Sequence, residues 1–78
     1  MDLRLEFTIE PFVQGTPGPH VHAALEAAAG EGIEVEFGPF GTTVAGAGDP
    51  VLAAAGRIMR AAIDAGATRI SLQVARSD

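Results

Sequence analysis

The chain has 78 residues, 47% of them hydrophobic, with ten acidic residues against five basic ones and a net charge of −5. This is one small domain, too apolar for disorder, and its basic residues (Arg4, Arg57, Arg60, Arg69 and Arg76) are too scattered for a nucleic-acid surface or a basic membrane helix. The absence of cysteine excludes disulfides, thiolate metal sites and a cysteine nucleophile, and fits a reducing compartment.

Met1-Asp2-Leu3-Arg4 leads directly into an alternating pattern, without the apolar run of a signal peptide. No stretch approaches the roughly 20 apolar residues of a membrane span. A cytoplasmic location is expected. A domain of this size buries only about 60% of its unfolded surface, so self-association is also expected.

Leu3, Leu5, Phe7 and Ile9 alternate with Arg4, Glu6, Thr8 and Glu10, which predicts a strand with one buried face. Pro11 cannot donate to a ladder, so regular pairing is expected to fail near it, with Phe12 and Val13 continuing as an edge or bulge. Residues 14–19 form a loop by composition, and Thr16 or Gly18 is placed to cap a helix starting near Pro19. Val21, Leu25 and Ala28 share a face of that helix, with Ala24 and Ala29 at its margins, and Gly30 or Gly32 ends it.

Ile33, Val35 and Phe37 then alternate with Glu34 and Glu36. A tight Gly38-Pro39-Phe40-Gly41 turn returns the chain through Thr42, Thr43, Val44 and Ala45. The loop length pairs Phe37 with Thr42, Val35 with Val44 and Ile33 with Gly46. Val35, Phe37 and Val44 then point to the core, and Glu34, Glu36 and Thr43 point away from it. Asp49-Pro50 is a helix-start signal, with Asp49 as N-cap. Val51, Ala55, Ile58, Met59, Ala62 and Ile63 follow helical spacing, and Gly66 closes the helix. Ile70, Leu72 and Val74 alternate through a last strand.

The element order is β-α-β-β-α-β. Two right-handed crossovers, each leaving room for one strand, give an α+β ferredoxin-like plait over residues 1–78. Its antiparallel sheet has order 4-1-3-2, and both helices lie on one face. The other face carries Arg4, Glu6, Thr8, Glu10, Glu34, Glu36, Thr43, Ala45, Arg69, Ser71 and Gln73. Such a face is either solvated or covered by a second subunit.

No motif announces catalysis. His20 and His22 point about 200° apart on a helix and cannot chelate together, so no metal site is expected; both are read as exposed helix-terminal residues. The glycine-rich turns before the helices lack the lysine of a phosphate-binding loop. Val13-Gln14-Gly15 resembles the loop of acylphosphatases, but the arginine and asparagine of those enzymes are missing. Glu6 and Glu10 share a face that could offer an acid and a base, yet a solvated or interfacial charge pattern is the commoner meaning of such residues. Phe40 either folds onto the core or offers a stacking surface to a flat ring, and Phe12 has the same two options.

Three segments carry a family resemblance: Phe7-Thr8-Ile9-Glu10-Pro11 leading to Gly15-Thr16; Gly38-Pro39-Phe40-Gly41-Thr42-Thr43-Val44 with Gly46; and Ala65-Gly66-Ala67-Thr68-Arg69-Ile70. In order and spacing the chain resembles the small thiamine-binding proteins. Where that family usually has a glutamate before the glycine, this chain has Ala45. The resemblance implies a non-enzymatic protein with no cofactor that binds thiamine or its hydroxymethylpyrimidine part and forms dimers or tetramers. The ligand is then expected near Glu10, Phe12, Phe40, Gly41, Thr42 and Thr43. Phe12 or Phe40 would stack, Thr42 or Thr43 would donate to ring nitrogens, and Glu10 would meet the aminopyrimidine or thiazolium. The alternative is an oligomeric interaction module without a small ligand.

Overall fold

The computed structural model describes residues 1–11, 18–38 and 41–78. In order they form β1 (Asp2–Glu10), α1 (Pro19–Ala28), β2 (Ile33–Gly38), β3 (Gly41–Ala47), α2 (Gly48–Asp64) and β4 (Arg69–Arg76). The sheet is antiparallel with order β2-β3-β1-β4, the expected plait read from its other edge.

Alternation sorts the sheet residues. Leu3, Leu5, Phe7 and Ile9 of β1 are buried, while every residue between them is exposed. They join Val44 of β3 in one core with Ala24 and Ala28 of α1 and Val51, Ala54, Ala55, Ile58 and Ala62 of α2. Both helices therefore lie on the same face. Their contact is built on alanines, which lets the backbones approach closely, and Arg57 Nε donates across it to the Ala27 carbonyl at 3.0 Å.

The β2–β3 register agrees with the sequence reading: Ile33 pairs with Gly46, Val35 with Val44 and Phe37 with Thr42, and Gly38 facing Gly41 extends the ladder by one pair. Gly46 is required here by proximity. A Cβ at this position would collide with the Gly32 carbonyl.

Four expectations need correction. Val35 and Phe37 point toward the helices yet remain 38% and 48% exposed. They lie on an edge strand, and the core draws on β1, β3 and the two helices, with only Ile33 of β2 packed at its margin. Met59 and Ile63 are 42% and 53% exposed. The buried stripe of α2 runs 51, 54, 55, 58, 62, and each of these two residues follows a stripe member by one position, about 100° around the helix.

Asp49 is not an N-cap. β3 stays paired with β1 through Ala47, and Gly48 N donates to the Met1 carbonyl at 2.9 Å, so α2 starts at Gly48 and Asp49 lies in its first turn. There its charge complements the helix dipole. His20, expected to be exposed, is buried, with its Nε2–H donating to the Pro11 carbonyl. That bond fixes the start of α1 to the end of β1, and His22 stays exposed. At the same end of the sheet, Thr68 donates to the Glu10 carbonyl through N at 2.8 Å and through Oγ1 at 3.2 Å.

Candidate ligand-binding cleft on the open sheet face

The side of the sheet away from the helices is organised by register into cross-strand rows. One row runs Glu36, Thr43, Glu6, Gln73 from β2 to β4. The next runs Gly38, Gly41, Thr8, Ser71: Gly38 pairs with Gly41 and Thr8 with Ser71, and a Cβ on Gly41 would lie 3.2 Å from Thr8 Cγ2. Two neighbouring positions without side chains leave a hollow in an otherwise covered surface.

That hollow is an open cleft of about 460 Å³, lined by Glu6, Phe7, Thr8, Gly38, Gly41, Thr42, Thr43, Ser71 and Gln73. Its volume lies within the range of small-molecule sites, roughly 300–1,000 Å³. Phe7 and Thr42 are buried on the helix side, so they reach the cleft through backbone atoms. The glycines give a flat floor. The rim offers three hydroxyls, a carboxamide and one carboxylate, a set able to donate to and accept from a polar heterocycle. Gly41 has φ +156° and a Cβ there would also lie 3.1 Å from the Phe7 carbonyl, so a side chain on the floor would be strained and crowded.

The expected contacts divide on this geometry. Gly41 and Thr43 line the cleft. Thr42 contributes backbone only, because adjacent strand residues face opposite sides. Glu10 shares the open face but lies two residues, ~7 Å, beyond Thr8. Its Oε2 meets Arg69 Nε at 3.6 Å. Phe12 and Phe40 lie outside the described residues. The expected set omits Glu6, Thr8, Ser71 and Gln73. The signal that points to them is positional: these are the outward residues of β1 and β4 level with the Gly38–Gly41 gap.

Glu6 Oε1 lies 3.4 Å from Arg4 Nε, and both side chains are more than half exposed. Glu6 and Glu10 thus each hold a separate arginine and do not form a coupled acid–base dyad. Ser71 and His20 lie on opposite sides of the sheet and make no nucleophile–base pair. Among the described residues, no three histidine, aspartate or glutamate side chains come together as a metal site.

A single sheet backed by two helices, with a glycine-floored polar cleft on the face away from them, defines a small ferredoxin-like plait with a candidate ligand site. The model of the thiamine-binding protein family matches residues 5–77, and the chain belongs to that family. It is also similar to a solved domain of unknown function, DUF77, from Bacillus cereus, at 25% identity and a TM-score of 0.68, covering 95% of this chain and 72% of that one. No curated protein matches the chain.

Proposed function

We propose that this protein binds thiamine, its hydroxymethylpyrimidine part or a related heteroaromatic molecule in the cleft between Thr43, Glu6 and Gln73, without turning it over. The observation that carries this reading is the glycine floor at Gly38 and Gly41, set among hydrogen-bonding side chains in a chain of the thiamine-binding family. A flat ring lies on the floor. The Thr43, Thr8 and Ser71 hydroxyls and the Gln73 carboxamide meet its amino group and ring nitrogens, and Glu6 faces the positive end. Phe40, covalently next to Gly41, and Phe12 are assigned as stacking groups on sequence position alone. The protein acts as a cytoplasmic dimer or tetramer, with no nucleic-acid or membrane partner. Among the described residues no helix is long and apolar enough to cross a membrane.

Calorimetric titration with thiamine and with hydroxymethylpyrimidine tests this. Saturable heat is expected from both, and no heat at millimolar ligand rejects the reading. A second reading, an assembly module without a ligand, is favoured by the unpaired sheet face and by exposed Val35, Phe37 and Val74 along the edge strands. It predicts a stable oligomer whose melting temperature is indifferent to thiamine.

A further inference from the structure

Building on the thiamine reading, we infer that the cleft selects unphosphorylated, positively charged ligand and rejects its phosphate esters, with Glu6 setting the charge preference. Glu6 is the one ionisable side chain lining the cleft among the described residues. Glu36 stands in the same cross-strand row, Glu34 lies in the adjacent row with Arg4, and Asp2 and Glu10 occupy the ends of β1 on this face. Opposing them are Arg4, placed at Glu6, and Arg69, placed at Glu10.

The remaining cations are elsewhere. Arg57 and Arg60 are on α2, behind the sheet, where they bond to the Ala27 carbonyl and to Asp64. Arg76 pairs with Leu3, on the helix-facing register, and meets Asp78 at 3.7 Å. The chain has no lysine, and residues 12–17 and 39–40 contain no charged residue of either sign. Whatever those two segments contribute to the cleft, they cannot supply a cation.

Phosphate is ordinarily held by arginine or lysine, or by the free N–H groups at a helix N-terminus. Both helices lie behind the sheet, and α1 opens on a proline, which has no N–H to offer. Phosphorylating the ligand's alcohol adds a charge of about −1.5 to −2. That charge meets a field already negative. A permanent thiazolium cation meets the same field with the opposite sign. Discrimination therefore follows from the charge placed on the bare face and needs no steric gate.

The test is calorimetric titration of the whole chain with thiamine, thiamine monophosphate and inorganic phosphate, at low salt and at ~150 mM, where the Debye length is about 8 Å. The expected result is binding of thiamine, monophosphate affinity lower by about tenfold at low salt, a smaller gap at high salt, and no heat from phosphate. Glu6→Gln, an exposed and isosteric change, should narrow the thiamine-to-monophosphate ratio at least about threefold, and Glu36→Gln should narrow it less, as expected for a charge farther from the cleft. Thiamine binding with equal or tighter monophosphate binding overturns the inference and leaves the binding reading intact. A ratio unchanged by Glu6→Gln overturns the role of Glu6. No heat from thiamine removes the binding reading, and this inference falls with it.

Discussion

At the scale of single residues, Thr42 and Thr43 form the most informative pair. They are adjacent and chemically identical, but one is buried in the helix-facing layer and the other rims the cleft. Thr43→Val keeps the shape and removes a hydroxyl. It should weaken thiamine binding about five- to tenfold, the worth of one hydrogen bond, and change stability by less than about 0.5 kcal/mol. Thr42→Val should leave affinity within about twofold, because its side chain points away from the cleft. Calorimetry and urea titration on both variants separate the two effects. Gly41→Val fills the floor and should abolish binding outright. Gln73 gives a milder case: Gln73→Ala should cost several-fold in affinity without lowering the melting temperature, since the side chain is exposed.

At the scale of elements, burial in α2 separates residues that look alike in sequence. Ile58 is fully buried and Met59 is not. Ile58→Ala should cost about 2–5 kcal/mol in denaturant unfolding, and Met59→Ala less than about 1 kcal/mol. In a domain whose whole stability is on the order of 5–15 kcal/mol, the first change alone risks unfolding. The comparison also shows what the sequence could and could not convey. Every element, the strand order and the hairpin register were legible, because period-two and helical spacings are local signals bounded here by glycine and proline. The depth of burial was not. Val35 and Phe37 have the pattern of core residues, and only the position of β2 at an edge, beyond the alanine-built helices, leaves them in water. Asp49 has the composition of a cap, but a backbone bond from Gly48 to Met1, across the sequence, takes over the start of the helix. The cleft was half legible for the same reason. Gly41 and Thr43 stand in one segment and were visible, whereas Glu6, Ser71 and Gln73 join them only once the strands are aligned.

At the scale of the whole molecule, a single sheet layer leaves one face uncovered among the described residues, and both edge strands expose apolar side chains toward the helix side. Leu52, Met59 and Ile63 add an exposed line along α2. This much uncovered apolar surface on so small a core predicts self-association. Light scattering after size exclusion should report a species larger than the monomer, and the melting temperature should rise with protein concentration, by mass action. A concentration-independent melting curve and a monomer by scattering would contradict the expectation.

The twin threonines also present folding with an ambiguity. A hairpin displaced by one residue would put one threonine in the other's place, so that slot alone cannot distinguish a correct pairing from a wrong one. Gly46 does. It lies between Ile33 on one side and Leu3 on the other, where the Gly32 carbonyl leaves no room for a methyl group. In either displaced alignment an alanine, Ala45 or Ala47, arrives at that spot and is refused. One missing carbon atom thus serves as a check on alignment, and it protects not only the hairpin but the sorting of every β3 residue between core and cleft.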